Sequence, residues 1–289
     1  NKEILRPMVA FSAWDVYGNL SVSANQQGTN MMLNMFFGPV VNAAAGVAGT
    51  VTGIISGFAN NVTTAFRPQI VKQYAQGNIA EMQQLLTNAA KFYILLYGII
   101  MIPLFIEIES VLRLWLGQVP PYTVQFCRAT LLCQAISSQV IIANIAIHAT
   151  GKIKSVSFIS GSIYILTLIP AYVVLQFTNS PASVYAVLFI MFSCLLASSF
   201  YIAQYLIQGL KVSKIVLAAY GKALVVCAIS AITSFGLCQT MPQSTTRILI
   251  TSFFSATVMF TLTYFAVLNA EQRKAVIACI KSKVKKNNA

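Results

Sequence analysis

The sequence predicts an all-α integral membrane protein that crosses the bilayer eight times, and three observations carry that prediction. Hydrophobic residues fill 57% of the 289 positions and charged residues only 9%, against about 25% charged in soluble domains. The chain divides into apolar segments at about 8–36, 40–66, 84–106, 122–149, 155–176, 182–207, 213–238 and 247–268, each with the ~20 residues a membrane helix needs. Basic residues alternate with these segments. With Asn1 in the cytoplasm, only Arg113, Arg128 and Arg247 fall outside, and the other 16 of the 19 basic residues fall inside. This is a strong positive-inside bias, and a miscounted span would scramble it. Both ends of the chain are expected in the cytoplasm.

The first segment is the most informative. Ser12, Asp15, Asn19, Ser23, Gln26, Asn30 and Asn34 recur at steps of three and four, which places them on one face of a helix. Ser12 to Asn34 spans roughly 33 Å, about the thickness of the hydrocarbon core. Unsatisfied polar groups are costly in hydrocarbon, so this stripe is expected to face protein or water. A water-filled cavity is the reading favoured over a dry polar helix contact. Ser12, Asp15, Asn19, Ser23, Gln26 and Asn30 are the candidate substrate path. Asp15 is the only Asp in the chain. Four roles fit it: a site coupling transport to H+ or Na+, a gate partner to a cation elsewhere, an interhelical hydrogen bond, or a residue near the cytoplasmic interface.

In the second segment Ala45, Gly49, Gly53 and Gly57 form a small-xxx-small run, the pattern that lets helix backbones touch. Gly49, Gly53 and Gly57 are therefore expected to pack helices together. The third segment begins near Lys91, expected to snorkel to the cytoplasmic face, and ends at Glu107, Glu109 and Arg113, a solvated rim by default. In the fourth, Arg128 lies about two turns from the outer end. It suits a phosphate contact or snorkelling to outer headgroups. His148, the single His, sits near the cytoplasmic end of the same segment as an interfacial or proton-relay residue. The remaining segments carry little chemistry. Turn signals separate the spans at Gly38-Pro39, Arg67-Pro68, Gly77-Asn78, Pro120-Pro121, Gly151-Lys152, Asn179-Ser180-Pro181 and Met241-Pro242. The tail over 269–289 is basic, with Val276, Ile277, Ile280 and Val284 spaced for an interfacial helix.

The composition weighs against several functions. Six scattered cysteines without a CxxC pair, together with one His, make no zinc site, and no metal or other cofactor is expected. Six acidic residues leave little material for a catalytic pair, so the chain is not expected to be an enzyme. The net charge of +13 follows from topology, with no aromatic-studded basic face for nucleic acid. Because the chain starts at Asn1 and enters a membrane segment almost at once, it is expected to be the C-terminal part of a longer protein.

Several short runs carry a resemblance. Phe37-Gly38-Pro39 followed by Ala43-Ala44-Ala45-Gly46 is similar to an outer turn of oligosaccharide flippases. Phe66-Arg67-Pro68-Gln69-Ile70 with Tyr74-Ala75-Gln76-Gly77-Asn78 is similar to their next cytoplasmic loop. Val111-Leu112-Arg113-Leu114-Trp115-Leu116-Gly117 resembles their outer turn, and Ala149-Thr150-Gly151-Lys152-Ile153-Lys154 a later cytoplasmic loop. In this order the chain resembles the polysaccharide (O-antigen type) flippases of the MATE-like exporter superfamily.

The resemblance implies that 1–210 is the second six-helix lobe of a MATE-like transporter. It also implies that 211–268 is a C-terminal helix pair and 269–289 a cytoplasmic tail. It implies a flippase moving an undecaprenyl-pyrophosphate-linked oligosaccharide across the bacterial inner membrane for O-antigen, capsule or exopolysaccharide synthesis. The implied partners are that lipid-linked oligosaccharide, membrane lipids, and a glycan polymerase or other assembly proteins. The alternatives are a cation-coupled multidrug exporter of the same superfamily and a membrane-embedded glycan-assembly enzyme.

Overall fold

The computed structural model describes residues 2–270 and 272–274. All regular structure among them is helical: α1 (Lys2–Phe37), α2 (Pro39–Ala75), α3 (Ile79–Leu116), α4 (Thr123–Ala149), α5 (Lys154–Leu166), α6 (Leu168–Phe177), α7 (Ser183–Leu206), α8 (Val212–Gln239) and α9 (Thr245–Leu262). A π-helical turn, Thr263–Val267, follows α9. Seven spans among the described residues, with α5 and α6 counted as one, are long and apolar enough to cross a membrane. The polar first helix is not among the seven. The outward faces carry large apolar side chains such as Leu217, Ile232, Phe253 and Phe177. Water would penalise so continuous an apolar surface, and lipid would not. The protein is an all-α, multi-pass membrane protein.

Three boundaries differ from the sequence expectation, each for a local reason. The first is at Arg67-Pro68, where α2 does not end but runs through Pro68 to Ala75. Proline removes one hydrogen bond, and a long packed helix tolerates that loss. The turn falls instead at Gly77, whose φ of +76° is the left-handed conformation that glycine adopts without a Cβ clash. The second is in segment 155–176, which breaks at Thr167 between α5 and α6. Pro170 has no N–H to continue the ladder there, and the Thr167 hydroxyl donates to the Ile163 carbonyl at 2.6 Å. The third is α3, which extends to 79–116 and runs through Pro103. The expected interfacial helix over Val276, Ile277, Ile280 and Val284 lies outside the described residues.

At the centre, α4 packs on α2, α3 and α7, while α1 lies against α5 and less closely against α2. The core is built on Tyr93, Phe126, Leu131 and Ile147. A separate cluster of Leu95, Ile102, Ala223, Val226 and Met259 fastens α8 and α9 to α3. Gly98 makes that close approach possible, since a Cβ there would stand 3.0 Å from Cys227 Sγ and 3.1 Å from Met259 Cε. The segment just after the π-helical turn returns to α3. Lys91 is buried, its Nζ donating to Gln272 Oε1 at 3.4 Å, and Gln272 Nε2 donates to Asn88 Oδ1 at 3.3 Å. Lys91 is thus held inside the bundle's end rather than reaching out to headgroups.

Two further expectations are corrected. Gly49, Gly53 and Gly57 pack against nothing, since a Cβ at each would meet no atom within 4 Å. α2 instead buries the neighbouring face of Val41, Ala44, Ala48, Val51 and Ile55. The physical reason is rotation. Methyl and isopropyl groups gain more from burial than glycine does, so the glycine ridge turns outward. Besides Gly98, the close-approach glycines are Gly28, facing Leu168, and Gly161, facing Tyr17 and Ser21. The acidic rim is also only half as expected. Glu109 makes an exposed pair with Arg113 at 2.6 Å, but Glu107 is 1% exposed and bound to Arg247.

Candidate functional site

α1 carries two polar lines, and the sequence reading recognised one. Ser21, Asn25 and Thr29, spaced by four, form the buried line. Asn25 Nδ2 donates to the Tyr164 carbonyl at 2.8 Å and ties α1 to α5. An isolated four-residue spacing flanked by Gly18 and Gly28 was the available signal. The predicted stripe lies beside this line and is mostly exposed: Ser12, Asn19, Ser23, Gln26 and Asn34 face outward, and Asp15 and Asn30 are half-buried. Its members bond along the helix. Asn19 Nδ2 donates to the Asp15 carbonyl at 2.9 Å and to Asp15 Oδ2 at 3.2 Å. The Ser23 hydroxyl donates to the Asn19 carbonyl at 3.1 Å.

A polar cleft of about 420 Å³ lies between α1, α2, α4 and α5. α1 supplies Asp15, Gly18, Asn19 and Val22; α2 supplies Arg67; α4 supplies Ser137, Asn144 and His148 with Val140, Ile141 and Ile145 between them; α5 supplies Val156, Ser157, Ser160 and Tyr164. Successive lining positions three or four residues apart give each helix one face on the cleft. From His148, in the last turn of α4, to Ser137 the lining runs roughly 17 Å into the bundle at 1.5 Å per residue. Asp15, Arg67 and His148 thus share one cavity from three helices. Phe11 stacks edge-on against His148 with ring centroids 6.4 Å apart. Lys154 stands over the Trp14 ring at 5.6 Å.

Two buried polar atoms on the cleft walls, Asn144 Oδ1 and Ser160 Oγ, have no hydrogen-bond partner among the described residues. Together with Asn19, Ser137 and Ser157 they offer amide and hydroxyl groups to a polar guest, and Arg67 offers a fixed cation. No group of three His, Cys, Asp or Glu side chains suited to a metal occurs among the described residues.

Of the sequence-predicted site residues, Asp15 and Asn19 line the cleft. Ser12, Ser23, Gln26 and Asn30 do not. Arg128 lies elsewhere: its Nε donates to the Phe105 carbonyl at 3.2 Å, and its guanidinium sits 5.6 Å from the Phe105 ring centroid. The cation that reaches the cleft is Arg67, read from sequence only as part of a turn. The helix running on through Pro68 sets an exposed Arg67 at the cleft.

Fold and cleft together define a multi-pass membrane protein with a cavity of mixed polar and apolar lining among its helices. Comparison with family models, curated proteins and solved structures returns no match for this chain.

Proposed function

We propose that the chain forms part of a flippase that carries a lipid-linked oligosaccharide across the bacterial inner membrane by alternating access. The observation that carries this reading is the cleft's chemistry, in which amides and hydroxyls from three helices share a cavity with a single arginine from a fourth. Sugar hydroxyls exchange hydrogen bonds with such groups, and a guanidinium matches phosphate oxygens. The lipid tail stays in the bilayer while the head crosses. In this reading the basic-rich face of the bundle is cytoplasmic, and Asp15, half-buried beside Asn19, is the coupling group for H+ or Na+. Glycan polymerase and other assembly proteins are the partners, and the chain performs transport rather than catalysis.

The test is genetic and biochemical. Deletion of the full-length gene is expected to abolish surface polysaccharide and to accumulate the lipid-linked glycan on the cytoplasmic side. Wild type restores export, and Arg67→Gln does not. If surface glycan is unaffected and susceptibility to cationic drugs rises instead, the protein is a multidrug exporter and the flippase reading fails.

A further inference from the structure

α4 separates two cavities of opposite character. One face of the helix, with Ser137, Asn144 and His148, lines the polar cleft. The other, with Leu132, Ala135, Ile136 and Gln139, lines a second cavity of about 470 Å³ between α3, α4, α7 and α8. At 100° per residue, Gln139 points roughly 160° away from Ser137 and roughly 140° away from Asn144. Among the described residues no Asp, Glu, Lys, Arg or His lines this second cavity. Its walls are apolar, and its size falls within the range of small-molecule sites.

The floor is not apolar. Gln139 is 3% exposed, and its Oε1 accepts from the Tyr220 hydroxyl at 3.1 Å. Its Nε2 is buried without a partner among the described residues. The hydroxyl of Tyr93, fully buried, lies near Ser138 and Gln134 without a well-formed hydrogen bond. Tyr97 is already satisfied, donating to the Leu131 carbonyl at 2.9 Å. An amide donor left unmatched in an apolar cavity costs free energy, and a guest that brings an acceptor relieves that cost. α7 and α8 touch little, and exposed Leu224 and Ala228 stand at the rim.

We propose that this cavity binds a neutral lipid drawn from the bilayer. One hydrocarbon chain lies along the α3 and α8 walls, and an uncharged carbonyl or hydroxyl oxygen accepts from Gln139 Nε2. Charged headgroups are disfavoured because no ionisable side chain compensates their desolvation. The site is independent of the cleft, since α4 stands between them, and it holds whether or not the cleft transports a glycan.

The experiment uses the full-length protein in membranes with two photoactivatable probes of equal chain length, a monoacylglycerol and the corresponding lysophosphatidic acid. The monoacylglycerol is expected to label cavity-facing residues of α3, α4 and α8 at least fivefold more than the charged probe does. Gln139→Leu lowers that labelling at least fivefold. Ala228→Trp, at an exposed rim position that tolerates bulk, removes it. If Gln139→Leu fails to fold, the Ala228→Trp protein and the two probes decide alone. Equal labelling by both probes overturns the proposal. So does labelling confined to the outward helix faces, or labelling unmoved by Ala228→Trp.

Discussion

Glu107 on α3 and Arg247 on α9 form an ion pair at 2.8 Å, with side chains only 1% and 10% exposed. Further contacts surround it, among them Arg247 Nη1 donating to the Met241 carbonyl at 3.3 Å. Thr251 Oγ1 and Cys238 Sγ donate to Glu107 Oε1 at 3.2 and 3.3 Å, and the Arg247 guanidinium also donates to Ser110 Oγ at 3.2 Å. The pair pins the final helix to the third at one end of the bundle, while Met259 and Ile102 hold it further along.

Removing one partner leaves a buried charge uncompensated. Arg247→Met is therefore expected to destabilise the protein by about 3–5 kcal/mol, the range for breaking a buried pair. The double variant Glu107→Leu, Arg247→Met should recover most of that loss. Unfolding in mixed micelles checks both, and a single variant as stable as wild type contradicts the pair's role.

The two classes of glycine should separate cleanly. Gly161→Ala places a Cβ against Tyr17 and Ser21 and is expected to cost about 1–3 kcal/mol by forcing α1 away from α5. Gly49→Ala and Gly53→Ala meet nothing and should be neutral, or stabilising by up to about 1 kcal/mol through helix propensity. The same unfolding measurement compares them.

In the cleft, Arg67→Gln and Asn144→Leu are expected to reduce transport at least tenfold with stability changed by less than about 0.5 kcal/mol, the usual range for sites outside the packed core. Arg128→Gln, whose guanidinium is engaged with Phe105, should reduce transport little. An assay of polysaccharide export on normalised protein checks the contrast, and equal losses at Arg67 and Arg128 would refute the assignment.

The crossing pattern has its own test. Gln118 follows α3 and Lys152 precedes α5, so they lie in turns at opposite ends of the bundle. In intact cells an impermeant maleimide is expected to label Gln118→Cys, and to label Lys152→Cys only after permeabilisation. Labelling of both from outside would break the topology read from the basic residues.

Much of the architecture was legible in the sequence. Glycines placed the ends of α1 and α4 at Gly38 and Gly151, because a residue at positive φ stops a helix wherever it occurs. Proline misled at Pro68, where length and packing outweighed one lost hydrogen bond, and went unread at Pro170, where it broke the span. The site was half legible. Asp15 and Asn19 belonged to a visible pattern, but Arg67 looked like part of a turn, and Glu107 looked solvated until Arg247, 140 positions away, was brought against it.

By itself the sequence determined the helical class, the membrane setting and the order of the apolar helices. Those follow from the length of apolar runs, the residues between them and the distribution of charge, all properties of neighbours along the chain. Only the tertiary structure decided how each helix is rotated. Rotation turned Ser21, Asn25 and Thr29 inward and left Gly49, Gly53 and Gly57 outward. It gathered Asp15, Arg67 and His148 on one side of α4 and set Gln139 on the other. Which face a helix buries depends on the shapes packed against it, and those come from segments tens to hundreds of residues away.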